Sequence, residues 1–212
     1  MTQEAASPRK GSQVVRAARR DEAGLLGSVL ADAFAEDPVF AWLIPPDVPG
    51  RDNRMRTFFT SMSRSYLRRG KPCYLADDAS AGALWSAPGS WALPLSEVIR
   101  EAVPSGVAFR GRLLSALRTQ MQIERLHAAQ SPPHWYLAYL GTRSDRQGQG
   151  LGTQMLREVL DGADAEGVPT YLESSNERNL SVYERNGFRV VGELRALGHG
   201  PTIWRMWRAP QS

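Results

Sequence analysis

Residues 145–156, DRQGQGLGTQML, crowd Gly148, Gly150 and Gly152 into five positions. They stand between an apolar, aromatic run, HWYLAYLGT (134–142), and a segment whose Met155, Leu156, Val159, Leu160 and Ala163 recur at helical spacing. A strand, then dense glycines, then a helix start is the physical recipe for an anion site. Glycine lets the backbone approach a ligand and adopt unusual φ/ψ, while the first-turn N–H groups and the helix dipole face negative charge. A mononucleotide loop needs a lysine and then Ser or Thr after its last glycine, whereas Gly152 is followed directly by Thr153. A dinucleotide fingerprint needs G-x-G-x-x-G early in the chain, and neither spacing nor position fits. The pyrophosphate of coenzyme A remains as the guest, set against the plain alternative of a glycine-rich turn that holds nothing.

Gln147-Gly148-Gln149-Gly150-Leu151-Gly152 resembles the Q/R-x-x-G-x-G/A pyrophosphate loop of the GNAT superfamily of acetyl-CoA-dependent N-acetyltransferases. Downstream, YLESSNERNLSVYERNGF (171–188) is similar to the strand, loop and helix that close the acetyl-CoA site there, ending in the Y-x-x-x-G-F signature as Tyr183 to Phe188. HWYLAYLGT resembles the strand along which the pantetheine arm lies. Beyond residue 13 the resemblance covers nearly the whole chain and is nearest to antibiotic-inactivating members, but it is loose over 90–130, where acceptor selectivity would reside. Where the family often has proline before the loop, this chain has Ser144.

The resemblance implies acetyl-CoA as co-substrate and a set of site residues. Backbone groups of Leu140, Gly141 and Thr142 would orient the pantetheine and acetyl carbonyl where a splayed strand leaves N–H groups free. Gln147, Gly148, Gln149, Gly150, Leu151, Gly152 and Thr153 would bind the pyrophosphate, with Arg146 either adding charge at the rim or simply solvated. Tyr183 stands where the family places its general acid, and a phenol of ordinary pKa about 10 suits protonation of a thiolate. Asn179 and Asn176 would bond pantetheine amides, although turn and cap chemistry explains asparagines there as well. Glu173 is the candidate base. Glu124 and His127, three apart on one helical face, would line the acceptor pocket, and Trp42, after DPVFAWLIPP, would stand at its mouth.

The pattern of elements is mixed α/β (α+β), and the resemblance implies the GNAT acyl-CoA N-acyltransferase fold, with a mostly antiparallel central sheet splayed at the acetyl-CoA site and flanked by helices. VVRAARRDEAGLLGSVLADAFAEDP (14–38) reads as a strand, a cap at Asp21 and a helix, interrupted by Pro38 and Pro45-Pro46. A helix is expected over 54–70, closed by Gly70, then strands at 73–78 and 81–88. Two helical pieces are expected near 94–103 and 108–129, punctuated by Pro104, Gly106 and Gly111. A central strand is read at 134–142, an amphipathic helix from Thr153 to about Gly167, a strand at 169–175, a short helix at 181–187, and strands at 188–197 and 202–208. Residues 1–12 read as a disordered leader and 13–212 as one domain.

The composition suits a soluble cytoplasmic protein: 42% of its 212 residues are hydrophobic, 23% are charged, and no apolar run reaches the roughly 18 residues of a membrane span. The net charge of +4 comes from 26 basic residues, of which only Lys10 and Lys71 are lysine, scattered among 22 acidic ones. With no cationic block or aromatic platform, nucleic acid and membrane are not expected partners. Cys73 is the only cysteine and is given no catalytic role, and no Cys, His and carboxylate cluster has metal-ligand spacing. The expected activity is direct acetyl transfer to a primary amine of a small molecule, an antibiotic or aminonucleoside-like compound, with a homodimer left open. The alternatives are acetylation of a protein N-terminus or lysine, or a non-catalytic acyl-CoA sensor.

Overall fold

The computed structural model describes residues 14–211, so the expected leader lies outside the described residues. β1 (Val15–Ala17) leads through a 3₁₀ turn at Arg20–Glu22 into α1 (Ala23–Ala33). Asp21 lies inside that turn and does not cap the helix. The carboxylate that holds the helix start is Glu22, which accepts from the Arg19 backbone N–H at 2.7 Å and pairs with Arg16 at 2.7 Å. Pro38 also departs from expectation, since it opens α2 (Pro38–Leu43) instead of merely ending α1. The Asp37 carboxylate caps α2, accepting from the N–H groups of Val39 and Phe40 at 2.9 and 3.1 Å, and proline at the first helical position loses no hydrogen bond.

α3 (Arg51–Arg68) starts from Gly50 at φ +70°, three residues before the expected start. β2 (Cys73–Ala76) and β3 (Ala81–Ser86) form the hairpin. α4 (Leu95–Phe109) runs straight through Pro104, where the sequence suggests a break; packing along α3 outweighs the one lost backbone bond. α5 (Leu113–Ala128) comes next. β4 (Trp135–Thr142), α6 (Leu151–Ala165), β5 (Thr170–Ser174), α7 (Leu180–Arg185), β6 (Arg189–Arg195) and β7 (Thr202–Arg208) complete the chain. No helix among the described residues is long and apolar enough to cross a membrane.

The seven strands form one sheet in the order β1-β2-β3-β4-β5-β7-β6, antiparallel except between β4 and β5. This is the mixed, mostly antiparallel sheet the GNAT fold requires. On one face, α1 and α3 bury an aromatic cluster in which Phe34, Phe58 and Phe59 surround Tyr139 at ring separations of 5.3 to 6.3 Å. On the other, Met155, Leu156, Val159 and Leu160 of α6 pack over Ala83, Trp85, Leu137, Leu172 and Met206.

The feature that matters for function lies between β4 and β5. Their parallel pairing lasts for three residue pairs, Trp135 with Thr170, Tyr136 with Tyr171 and Leu137 with Leu172, and the strands then part. Opposite β3, Tyr139 pairs with Leu84 and Leu137 with Trp85, so Ala138 is a bulge. The extra residue turns Ala138 and Tyr139 both toward α1 and α3, while Leu137 and Leu140 face α6. Beyond the split β4 is held by β3, and Glu173 and Ser174 of β5 are held by β7.

α1 crosses β4 at Gly141, where an added Cβ would stand 2.5 Å from Ala33 Cβ and 3.2 Å from Leu30 Cδ2. We therefore expect Gly141→Ala to destabilise the fold by about 1–3 kcal/mol by overpacking. It would appear as a lower urea midpoint with an unchanged slope. An unchanged midpoint would mean that α1 is not seated on the strand.

Candidate active site

The glycine loop leaves β4 through a 3₁₀ turn at Ser144–Arg146. Ser144 uses what a proline lacks, because its backbone N–H donates to Asp32 Oδ2 at 2.8 Å and pins the turn to α1. Gly148 and Gly150 sit at φ +77° and +81°, with nothing within 4 Å of where a Cβ would be. Gly150 is the N-cap of α6, and no side chain caps that helix, so its first-turn N–H groups face open space beside three exposed loop residues, Gly148, Gln149 and Gly150. Space, backbone donors and the positive helix end together fit a pyrophosphate. Gln147 reaches back to the Thr142 carbonyl at 3.4 Å, tying the loop to the end of the splayed strand. Arg146 is neither free nor aimed at the loop centre, since it pairs with Asp78 at 2.9 Å.

The helix carrying Tyr183 is clamped over α6. Arg208 of β7 donates two 2.6 Å bonds to Asp164 of α6 and one of 2.7 Å to the Asn186 carbonyl at the end of α7. The Asp164 carboxyl is held below its ordinary range by that guanidinium. Asn186 closes α7 through the Val182 carbonyl at 2.8 Å and touches Thr153 Oγ1 at 3.4 Å. Gly187 takes φ +88° to leave the helix, and a Cβ there would meet Gln211 at 2.0 Å. Phe188 then drops into the core against the Tyr183 ring, 5.9 Å away. Each letter of the Y-x-x-x-G-F signature thus has a mechanical reason here. Burial, followed by the negative charge of Asp37, raises the Tyr183 phenol well above its ordinary pKa.

Asp37 is the site residue that sequence reasoning missed. Besides capping α2 it accepts a short hydrogen bond from Ser175 Oγ, just past the end of β5. That bond puts it beside the β5 edge of the split, and its negative charge adds to burial in raising the phenols of Tyr139 and Tyr183. Burial raises its pKa. The Asp-Pro pair was the available signal, as an N-cap followed by proline at the first helical position.

Glu173 lies on β5 two residues beyond Tyr171 and so faces the same side of the sheet, opposite Arg205 of β7. Its carboxyl is pushed up to about 7 by burial, against the opposing effects of the Tyr136 and Tyr171 phenols and Arg205. Oε1 has no partner at hydrogen-bond distance. Tyr183 instead packs with Leu172 and α6, so Glu173 and Tyr183 occupy opposite faces of the split sheet.

His127 is brought to Glu173's side of the sheet, stacked on Trp91 at 4.3 Å and against Tyr136 and Tyr171 at 4.3 and 5.0 Å. Its Nε2 is 2.9 Å from His134 Nε2, and His134 Nδ1 is 2.9 Å from the Pro132 carbonyl. A carbonyl can only accept, so His134 carries its proton on Nδ1 and His127 donates from Nε2. Burial favours this neutral pair and lowers His127 to about 3. Glu124 is not gathered with it: the helix turns Glu124 toward the partly exposed side, where it accepts from Gln120 at 2.9 Å. Trp42 packs against His199 and the turn at 196–200. Asn179 is exposed at the start of α7 and makes no capping bond, whereas Asn176 caps the preceding turn through the Arg178 N–H at 3.1 Å. Cys73 is buried, its thiol raised to about 12 by desolvation. Among the described residues no group of three or more His, Cys, Asp or Glu side chains could hold a metal ion.

A split sheet, an uncapped glycine helix start beside it and a buried tyrosine helix closing over it define the class of acyl-CoA-dependent acetyltransferases. The model of the Acetyltransferase (GNAT) family matches residues 85–188, from β3 through the signature phenylalanine. With the seven-stranded mixed sheet, that match gives the chain the GNAT fold and makes it an acyltransferase. A Schizosaccharomyces pombe protein described as an uncharacterized N-acetyltransferase is 28% identical over 172 residues, 76% of this chain and 68% of that one. The fold is similar to that of a Corynebacterium glutamicum protein described as histone acetyltransferase HPA2 and related acetyltransferase, with TM-score 0.65 and 24% identity over 95% of this chain and 98% of that one. It is also similar to PaiA N-acetyltransferase from Thermoplasma acidophilum, solved in complex with coenzyme A, with TM-score 0.56 and 11% identity over 94% and 99% of the two chains.

The raised Glu173 carboxyl makes a stability prediction. Below pH 4.5 it is protonated in both folded and unfolded chains; between 4.5 and about 7 the unfolded chain ionises first and the native state loses stability as pH rises. Glu173→Gln should therefore gain stability relative to the natural chain across that window and hold the gain above it, as read by urea unfolding at several pH values. Parallel stability curves would show that the carboxyl is not desolvated.

Proposed function

We propose that the chain transfers the acetyl group of acetyl-CoA directly to a primary amine of a small molecule, with no covalent acyl-enzyme, and that residues 13–212 act as one domain. The observation that carries the proposal is the opening between β4 and β5, bordered by Glu173 on one face and the Tyr183 helix on the other. When bound, acetyl-CoA supplies an activated thioester. The N–H groups of residues 148–153 hold its pyrophosphate, and the unladdered edge of Leu140, Gly141 and Thr142 orients the pantetheine and the acetyl carbonyl. Glu173, with a carboxyl near neutrality, accepts the proton that the amine loses as its nitrogen bonds the acetyl carbon. Tyr183, kept neutral by burial and by Asp37, gives its proton to the departing sulfur. Amine and thiol thus meet the sheet from opposite faces.

The acceptor side supports an amine. The buried carboxyls Asp37 and Glu101 and the half-buried Glu173 all bear on the Tyr139 phenol, an environment that draws an ammonium toward the split. Phe34, Phe58 and Tyr139 give it an aromatic wall. The chain also resembles puromycin N-acetyltransferase from VRAARRDE through ADDASAGALW and HWYLAYL to the last strand. An aminonucleoside is therefore the first acceptor to try, with His127 rather than Glu124 on its side of the sheet.

Thiol release from acetyl-CoA against a panel of amines tests the reading, and coenzyme binding with no release from any acceptor would mark a sensor. Tyr183→Phe should lower kcat by about ten- to a thousandfold with coenzyme affinity nearly unchanged, as loss of a general acid does. In the natural chain kcat/KM should rise with pH through about 7, and Glu173→Gln should remove that step. Full activity in Tyr183→Phe, or an acetylated residue with ping-pong kinetics, would contradict the mechanism.

A further inference from the structure

Along α4 and α5 the sequence mixes charges of both signs, which is why a membrane is not an expected partner, and the fold then sorts them. Residues 95–128 hold Arg100, Arg110, Arg112, Arg118 and Arg125 against three glutamates. Glu97 and Glu101 are buried on the inner side of α4, Glu97 accepting from Ser65 and pairing with Arg68 and Arg100. Glu124 is half-buried and accepts from Gln120 at 2.9 Å. All five arginines are exposed, so nearly all the charge that the segment turns to solvent is positive. The outer sides between them are apolar: Leu95, Ile99 and Val103 of α4 and Leu114, Leu117 and Met121 of α5 are between 46 and 74% exposed. The repeat of four at 95, 99 and 103 lays a stripe along α4 opposite Glu97 and Glu101. On α5, Leu114, Arg118, Met121 and Arg125 share the face opposite Thr119 and His127, so aliphatic and cationic side chains alternate there. Among the exposed residues of 95–128 there is no carboxylate and no aromatic ring.

We propose that this surface docks on an anionic lipid bilayer, with the aliphatic side chains of α4 and α5 entering the acyl boundary and their arginines meeting lipid phosphates. A contiguous apolar stripe left in water marks an interaction surface, and arginines with no exposed carboxylate among them fix the sign of the partner as negative. Nucleic acid meets the charge but leaves the aliphatic side chains in water. The centre of a protein interface is built on aromatic anchors seated in pockets, and none is exposed here, whereas a fluid bilayer takes up an aliphatic ridge of any shape. A second copy of the same face would set arginine against arginine. At 15 residues α4 is about 22 Å long, short of the roughly 30 Å hydrocarbon core, so the helices lie on the membrane and do not cross it. The inner sides of the same helices carry Glu101 and His127, so docking turns the acceptor side of the sheet toward the lipid. The proposal does not depend on which acceptor is used.

Flotation of the full chain with vesicles of about 30% phosphatidylglycerol in phosphatidylcholine, and with vesicles of phosphatidylcholine alone, tests it. The natural chain should float with the anionic vesicles, stay behind with the neutral ones, and be released as salt is raised. The double variant Val103→Glu with Met121→Glu, at two exposed positions, should no longer float, with unchanged circular dichroism and coenzyme A affinity within about twofold. Arg118→Gln with Arg125→Gln should weaken binding by about thirtyfold, about fivefold for each charge lost near the surface. Hydrogen exchange on the natural chain gives a reading without substitution: anionic vesicles should slow exchange within 95–107 and 113–121 and leave 148–153 unchanged. Equal flotation with neutral vesicles, or flotation that survives both glutamates, would overturn the proposal. So would a chain that does not float with anionic vesicles, whether or not it then binds RNA or an acidic protein.

Discussion

After Leu137 and Leu172 the backbones of β4 and β5 no longer share hydrogen bonds, and each continues on the support of its outer neighbour. A central strand pair normally satisfies its whole ladder, since unpaired backbone groups inside a protein cost free energy. Here two devices hold the pair apart. The bulge at Ala138 rotates Tyr139 onto the α1 and α3 face, and Ser175 bonds to Asp37 on the first turn of α2, not to β4. The backbone groups left over at residues 138–142 are what the coenzyme arm would use, so the proposed binding site is a defect in the sheet.

The second half of the site depends on one buried ion pair. Arg208 is almost fully buried, and its two bonds to Asp164 and one to the Asn186 carbonyl join β7, α6 and α7 at a point. Bidentate guanidinium–carboxylate pairs are directional, and removing one partner leaves an uncompensated buried charge. The rigid corner they make fixes where α7 leaves the core and therefore where Tyr183 lies relative to the α6 N-terminus. Neither Arg208 nor Asp164 touches the chemistry; both determine its geometry.

Much of this was legible in the sequence where the signal is local. The glycine loop needs three positions within five residues, the signature helix needs six, and the apolar periodicity of α6 needs one helix, so each carries its meaning within a short window. What lay beyond reach was set by distance in the chain. An unbroken apolar run such as HWYLAYLGT has no period from which to read the bulge at Ala138. Asp37 and Ser175 are 138 positions apart, and Asp37-Pro38 reads as a stop unless the carboxylate is seen to cap α2. His127 and Glu124 share a helical face by spacing, yet the boundary between buried and exposed sides of α5 falls between them, and His127 finds its partner His134 across the turn into β4 instead. Asp21 misled for the opposite reason, because Glu22 one residue later has Arg16 to bind.

The central claim is that coenzyme A binds across the split, with its pyrophosphate on the start of α6 and its arm along β4. Amide hydrogen exchange measured with and without coenzyme A addresses it residue by residue. Slowed exchange at residues 148–153 together with 138–142 is the predicted result. Protection confined to other parts of the sheet, or none at all at saturating coenzyme, would contradict the account.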